Sequence, residues 1–180
     1  MKKLIVFCFL VVSISVFSQT YFTRSGNTDF KASVEAFEPV EAKNTSTTVI
    51  LKTATGDIAA QLFINAFQFK VALMQEHFNE NYMDSNKYPK AVFRGKLIDF
   101  DFTNATTEKE YKLTGILTVR GVKKEITTTA NVILKENTLY IDSKFTVAPQ
   151  DFKIDIPNIV RKKIADKINL TLHYELVEKK

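Results

Sequence analysis

An all-β chain, an up-and-down antiparallel barrel of about eight strands with one inserted helix, is predicted by three observations. Runs of alternating apolar and polar residues recur along most of the sequence. Phe, Val, Ile, Thr and Tyr dominate, whereas the 180 residues include only five Gly, four Pro and no Trp. The segments joining the alternating runs are short and rich in turn residues, which suits strands paired in sequence order. Closure into a barrel would also remove the unpaired edges that such strands otherwise present. With about eight strands, the interior is either filled by side chains or wide enough for one small ligand. Periodicity leaves both open.

The first eighteen residues read as a secretory signal peptide. Lys2 and Lys3 form a basic start, Leu4 to Val12 an apolar stretch, and Val16 to Ser18 a cleavage site before Gln19. Phe7 stands where a lipoprotein signal needs a small residue, so Cys8, the single cysteine, is expected to leave with the leader. The expected mature chain, 19–180, is one domain in the periplasm or outside the cell, and it depends on no disulfide. No later run is long and apolar enough to serve as a membrane anchor. The formal charge is +5, and +3 without Lys2 and Lys3. The basic cluster Arg161–Lys163 reads as a solvated helix face, and nucleic acid is not an expected partner.

The elements follow in order. Asn27–Ala36 and Thr45–Lys52 read as the first strand pair. A turn at Thr53–Asp57 leads into a strand over Ile58–Asn65, and Phe67 and Phe69 come next. Leu73, Met74, His77, Phe78 and Met83 (or Tyr82) then recur at helical spacing, predicting a helix over about 70–84. Asn79, Asn81, Asp84 and Ser85 supply turn chemistry, and Pro89 forbids further helix. Strands follow at Ala91–Phe102, Tyr111–Arg120, Lys123–Lys135 and Thr138–Thr146, with turns at Gly121 and at Glu136–Asn137. Ala148–Pro157 breaks the pattern. Asn158 is expected to cap a short helix (about 158–165), and Ile168–Leu176 is the cleanest strand of the chain.

Nothing in the residues points to catalysis or metal binding. His77 and His173 are the two histidines, and neither has further ligands at a recognisable spacing. His77 is expected to fix the helix to a loop carbonyl, and His173 to lie on the polar face of the last strand. Asp84, Asp151 and Asp155 read as turn and cap residues, and Ser85 lacks a nucleophile-elbow context. The inserted helix carries two Met and a Phe on one face. That face either plugs a solid core or covers an apolar cavity.

Three segments resemble the YceI-like family of secreted polyisoprenoid-binding proteins. Leu73–Gly95 matches its signature at Leu73, Met74, Glu76, His77, Phe78, Tyr82, Met83, Asp84, Ser85, Tyr88, Pro89, Phe93 and Gly95. Leu113–Lys124 matches a Gly-x-Leu-Thr hairpin, and Phe145–Pro157 matches an Asp-Phe-x-Ile element. The front of the chain, Asn27–Ala36, departs from the family's usual opening strand. The resemblance implies a lipocalin-like barrel with an internal tunnel for a polyisoprenoid such as the tail of a quinone, or for another long-chain apolar lipid. It implies a binding protein for storage or transport, with no enzyme activity and no cofactor beyond a bound lipid. It also raises the cavity-covering reading of the helix over the plug. Phe67, Phe69, Leu73, Met74, Phe78, Met83, Phe93, Phe145 and Phe152 are the expected lining. Two readings stand beside this one: an interaction or structural barrel with a packed core and no ligand, and an enzyme acting on an apolar substrate.

Overall fold

Alternation of side chains resolves into nine strands in a computed structural model, which describes residues 19–34 and 38–179. The proposed signal peptide, 1–18, and Ala36 lie outside the described residues. The strands are β1 (Thr20–Ser33), β2 (Glu41–Lys52), β3 (Asp57–Phe63), β4 (Gln68–Phe69), β5 (Lys90–Leu97), β6 (Lys109–Val119), β7 (Val122–Lys135), β8 (Thr138–Val147) and β9 (Ile164–Glu178). Every pairing is antiparallel, in the order β1-β9-β8-β7-β6-β5-β3-β2. β1 also pairs with β2, which closes an eight-stranded barrel. The two-residue β4 adds to β2 at Ala42 and Lys43.

The tight turns have the chemistry their geometry demands. Arg120 and Gly121 join β6 to β7 with φ of 51° and 76°, and Glu136 and Asn137 join β7 to β8 with φ of 48° and 69°. Two consecutive positive φ angles match the right-handed twist of the flanking strands. Gly115 answers a different need. It pairs with Gly95 across β5 and β6, and the Phe93 ring lies over the pair. A Cβ on Gly115 would stand 2.4 Å from the Arg94 carbonyl oxygen and 2.4 Å from the Gly95 Cα.

Four sequence expectations are corrected. β1 begins at Thr20 rather than Asn27. Its register slips at Arg24–Ser25, where two successive residues are exposed, so the bulge hides the alternation that marks its first half. β5 ends at Leu97 rather than Phe102, because Asp99 adopts a φ of 55° and the chain turns into a short 3₁₀ segment, Phe102–Asn104. The late helix, α2, is a single turn (Asn158–Arg161) entered from Pro157, with no side-chain cap from Asn158. Ile164 and Ala165, expected in that helix, begin β9, and Ile159 on the remaining turn is 88% exposed.

The interior has two parts. At one end Tyr21, Val49, Leu51, Leu97, Val132, Leu139 and Leu176 form a filled core with essentially no exposure. At the other end a second apolar shell forms around Phe67, Phe78, Met83, Leu117, Phe152 and Ile154. This shell is hollow.

Candidate functional site

The hollow end encloses a cavity of about 510 Å³. That volume lies within the roughly 300–1,000 Å³ typical of pockets that hold one small ligand. The barrel strands supply its wall, and two interruptions of the strand pattern cover it.

The first cover is helical. α1 (Ala72–His77) continues directly into a π-helical turn, Phe78–Tyr82. The Met83 amide donates to the Phe78 carbonyl at 2.9 Å, the i to i+5 bond of that turn. This register has a packing consequence. Phe78 and Met83, five residues apart, are both buried at the cavity, whereas Leu73, five residues before Phe78, is 58% exposed. Asp84 then takes a φ of 48° and ends the helix, its carbonyl accepting from Lys87 at 3.0 Å and Tyr88 at 2.8 Å. The Phe69 amide donates to Gln75 Oε1 at 3.1 Å, tying β4 to α1. Around Phe78 the rings of Phe30, Phe67 and Phe69 stand at centroid distances of 5.5, 5.6 and 5.0 Å.

The second cover is the 3₁₀ segment Pro149–Phe152 and its continuation to Ile156. Pro149, Phe152 and Ile154 are buried. Arg120 from the β6–β7 hairpin donates to the Lys153 carbonyl at 2.7 Å, and Lys124 Nζ meets Asp151 Oδ1 at 2.9 Å. The half-exposed ion pair contributes little on its own. Asp151 therefore has a structural partner, and Asp155 lies 3.9 Å from Arg161.

All nine expected lining residues reach the wall of this single cavity: Phe67, Phe69, Leu73, Met74, Phe78, Met83, Phe93, Phe145 and Phe152. The covering helix lies over a hollow and does not plug a solid core. The expected tie from His77 to a loop carbonyl is not made among the described residues. His77 is exposed and borders the cavity, with Leu73, Glu38, Val160 and Lys163 also on the rim. His173 faces outward, its ring nitrogens 2.7 Å from Asp142 and 3.2 Å from Glu175. The hydrogen bond to Asp142 leads in raising its pKa, with Glu175 adding to the shift. Among the described residues no three His, Cys, Asp or Glu side chains gather as metal ligands, and no helix is long and apolar enough to cross a membrane.

Sequence reasoning missed the floor of the cavity, where it meets the filled core. Thr28, Thr47 and Tyr174 line it there and are 3%, 1% and 4% exposed. Thr28 Oγ1 lies 2.9 Å from Thr47 Oγ1 and 3.2 Å from the Tyr174 hydroxyl. The Tyr174 ring rests on Gly26, where a Cβ would come within 2.6 Å of it. Burial pushes the Tyr174 phenol up to about 12, against a smaller opposing effect of its bond to Thr28. Tyr174 belongs to the inward face of β9, as alternation predicts. No local signal brings it to Thr28, 146 positions away.

The comparisons agree with this architecture. A family model described as a YceI-like domain matches residues 12–176. Among solved structures, a polyisoprenoid binding domain from Saccharophagus degradans superposes with a TM-score of 0.76 at 11% identity, covering 90% of this chain and 99% of the other. Burkholderia cenocepacia BcnA superposes with a TM-score of 0.68 at 17% identity, covering 84% and 96%. A Campylobacter jejuni YCEI protein gives 0.63 at 19% identity, covering 80% and 87%. At these identities the likeness is one of fold. Among curated proteins none matches.

Proposed function

The chain belongs to the YceI-like family, and from that premise we propose that it is an exported binding protein that holds a long-chain apolar lipid, such as a polyisoprenoid with a quinone-like head, inside its barrel. The observation that carries this is the cavity of about 510 Å³, walled by Phe, Leu, Ile, Val and Met side chains. A cavity of that character favours a flexible hydrocarbon, with each Å² of apolar surface removed from water contributing about 25 cal/mol. Met74 and Met83 add adaptable surface for a chain of irregular shape. The name of the Saccharophagus structure, a polyisoprenoid binding domain, favours the same ligand class. The work is storage or transport in the periplasm or outside the cell, after cleavage before Gln19, and the reading assigns no catalytic residue.

Native mass spectrometry of the exported protein, followed by organic extraction, tests this. The expected result is a mass increment that extraction removes and that proves to be a lipid, on a chain starting at Gln19. A protein that purifies without lipid and takes none up from vesicles refutes the binding reading. It would favour the barrel as an interaction module.

A further inference from the structure

The lining of the cavity is apolar almost throughout, yet its blind end is not. Thr28, Thr47 and Tyr174 place three hydroxyl groups there, each nearly or fully buried. Three hydroxyls own three O–H donors. They make two hydrogen bonds among themselves, Thr28 to Thr47 and Thr28 to Tyr174. Each bond uses one donor, so among the described residues one O–H is left over, at the base of an apolar chamber. Neighbouring hydroxyls do not share this surplus. Ser143 Oγ donates to the Thr129 carbonyl at 2.6 Å, and Thr128 Oγ1 donates to the Lys144 carbonyl at 3.1 Å. A buried donor without an acceptor is costly, so a group that enters the cavity and brings an acceptor to it is favoured.

We propose that this hydroxyl trio is a hydrogen-bond site for a neutral oxygen at the leading end of the ligand. The inference rests on the lipid-binding reading and deepens it by naming the end that enters first. The oxygen is a ketone, amide, ester or alcohol oxygen. A carboxylate or phosphate does not suit the site. The side chains at the floor carry no charge, because Tyr174 is protonated at neutral pH, and an anion buried without a counter-charge is strongly disfavoured. Cationic Lys163 stands on the cavity rim, away from the floor. The ligand therefore enters with a polar but uncharged end first and leaves hydrocarbon against Phe78, Met83 and Phe152.

Delipidated full-length mature protein, an environment-sensitive fluorophore seated in the cavity and four probes of equal chain length test the idea. The probes are tetradecanol, the corresponding methyl ketone, tetradecane and tetradecanoate, each delivered from cyclodextrin at pH 8. The expected order places the alcohol and ketone roughly tenfold tighter than the alkane, the discrimination of one net hydrogen bond, with the carboxylate weakest. In Thr28→Val/Thr47→Val/Tyr174→Phe all three donors are gone. The preference should then fall to within about twofold while tetradecane binds as before or more tightly. Removing a whole network in favour of apolar groups of like shape need not destabilise the fold. Should the triple variant fail to fold, the order measured on the unaltered protein decides alone. Tetradecane binding without preference for the oxygen-bearing probes, or a carboxylate that binds tightest, overturns this inference and leaves the lipid-binding reading standing. Failure of every probe to displace the fluorophore overturns both.

Discussion

Phe78 separates a hollow barrel from a packed one in a single side chain. It is 7% exposed, on the π turn that covers the cavity, with three phenylalanine rings within 5.6 Å centroid distance. Each aromatic pair contributes about 0.5–1.5 kcal/mol beyond its area. Truncation of Phe to Ala in a full core costs about 3–5 kcal/mol. Here one side of the ring faces empty space, so fewer contacts are lost, and Phe78→Ala in lipid-free protein should cost roughly 3 kcal/mol. Phe78→Asp adds a carboxylate to the same place. In a hollow barrel water can follow it, so the domain stays folded and loses its lipid. In a solid core the charge would be unpaired and dry, and the domain would unfold. Urea unfolding of delipidated protein gives the stability, and native mass spectrometry of the purified variants gives lipid content. A Phe78→Ala cost below about 1 kcal/mol, or a folded Phe78→Asp that retains as much lipid as wild type, would refute the reasoning.

Three further outcomes follow from the same geometry. His173 has its pKa raised by Asp142 and Glu175, so its stabilising contribution is complete below the ordinary histidine pKa of about 6.5 and disappears as pH rises through the raised value. The ion pairs are exposed and screened, so His173→Gln should cost about 0.5 kcal/mol at pH 5 and nothing measurable at pH 9; equal melting shifts at both pH values would contradict this. Tyr174 ionises near 10 when unfolded and about 12 when folded, so its stabilisation is present below pH 10 and is lost between 10 and 12. About 2–3 kcal/mol is at stake, and Tyr174→Phe should flatten that part of the alkaline denaturation curve. Gly115→Ala forces a Cβ against the β5 backbone and should cost roughly 1–3 kcal/mol by thermal denaturation; a neutral result would mean that the strands separate there freely.

Much of the barrel was legible in the residues. Ile168 to Leu176 alternate because one face of β9 is dry, and such a pattern survives any rearrangement of neighbours. The helix over about 70–84 announced itself by its period and by Pro89, whereas the nine expected lining residues rest on the family resemblance together with the two interruptions of the strand pattern, and Phe93 and Phe145 among them lie within strands. Legibility failed where local geometry departs from its period. The bulge at Arg24–Ser25 erased the start of β1, and Asp99 cut β5 short by a backbone turn that its side chain does not advertise. The two-residue β4 has no period at all.

Composition and periodicity thus determined that the chain would form a closed antiparallel meander with an apolar interior. They could not determine whether that interior was full. Filling is a difference between the volume the strands enclose and the volume of the side chains pointing inward, and it depends on how α1, the π turn and Pro149–Phe152 lie across one end. Only the tertiary structure decided this, by leaving about 510 Å³ open above a solid core. It likewise decided the meeting of Thr28, Thr47 and Tyr174, which barrel closure through β1 brings together.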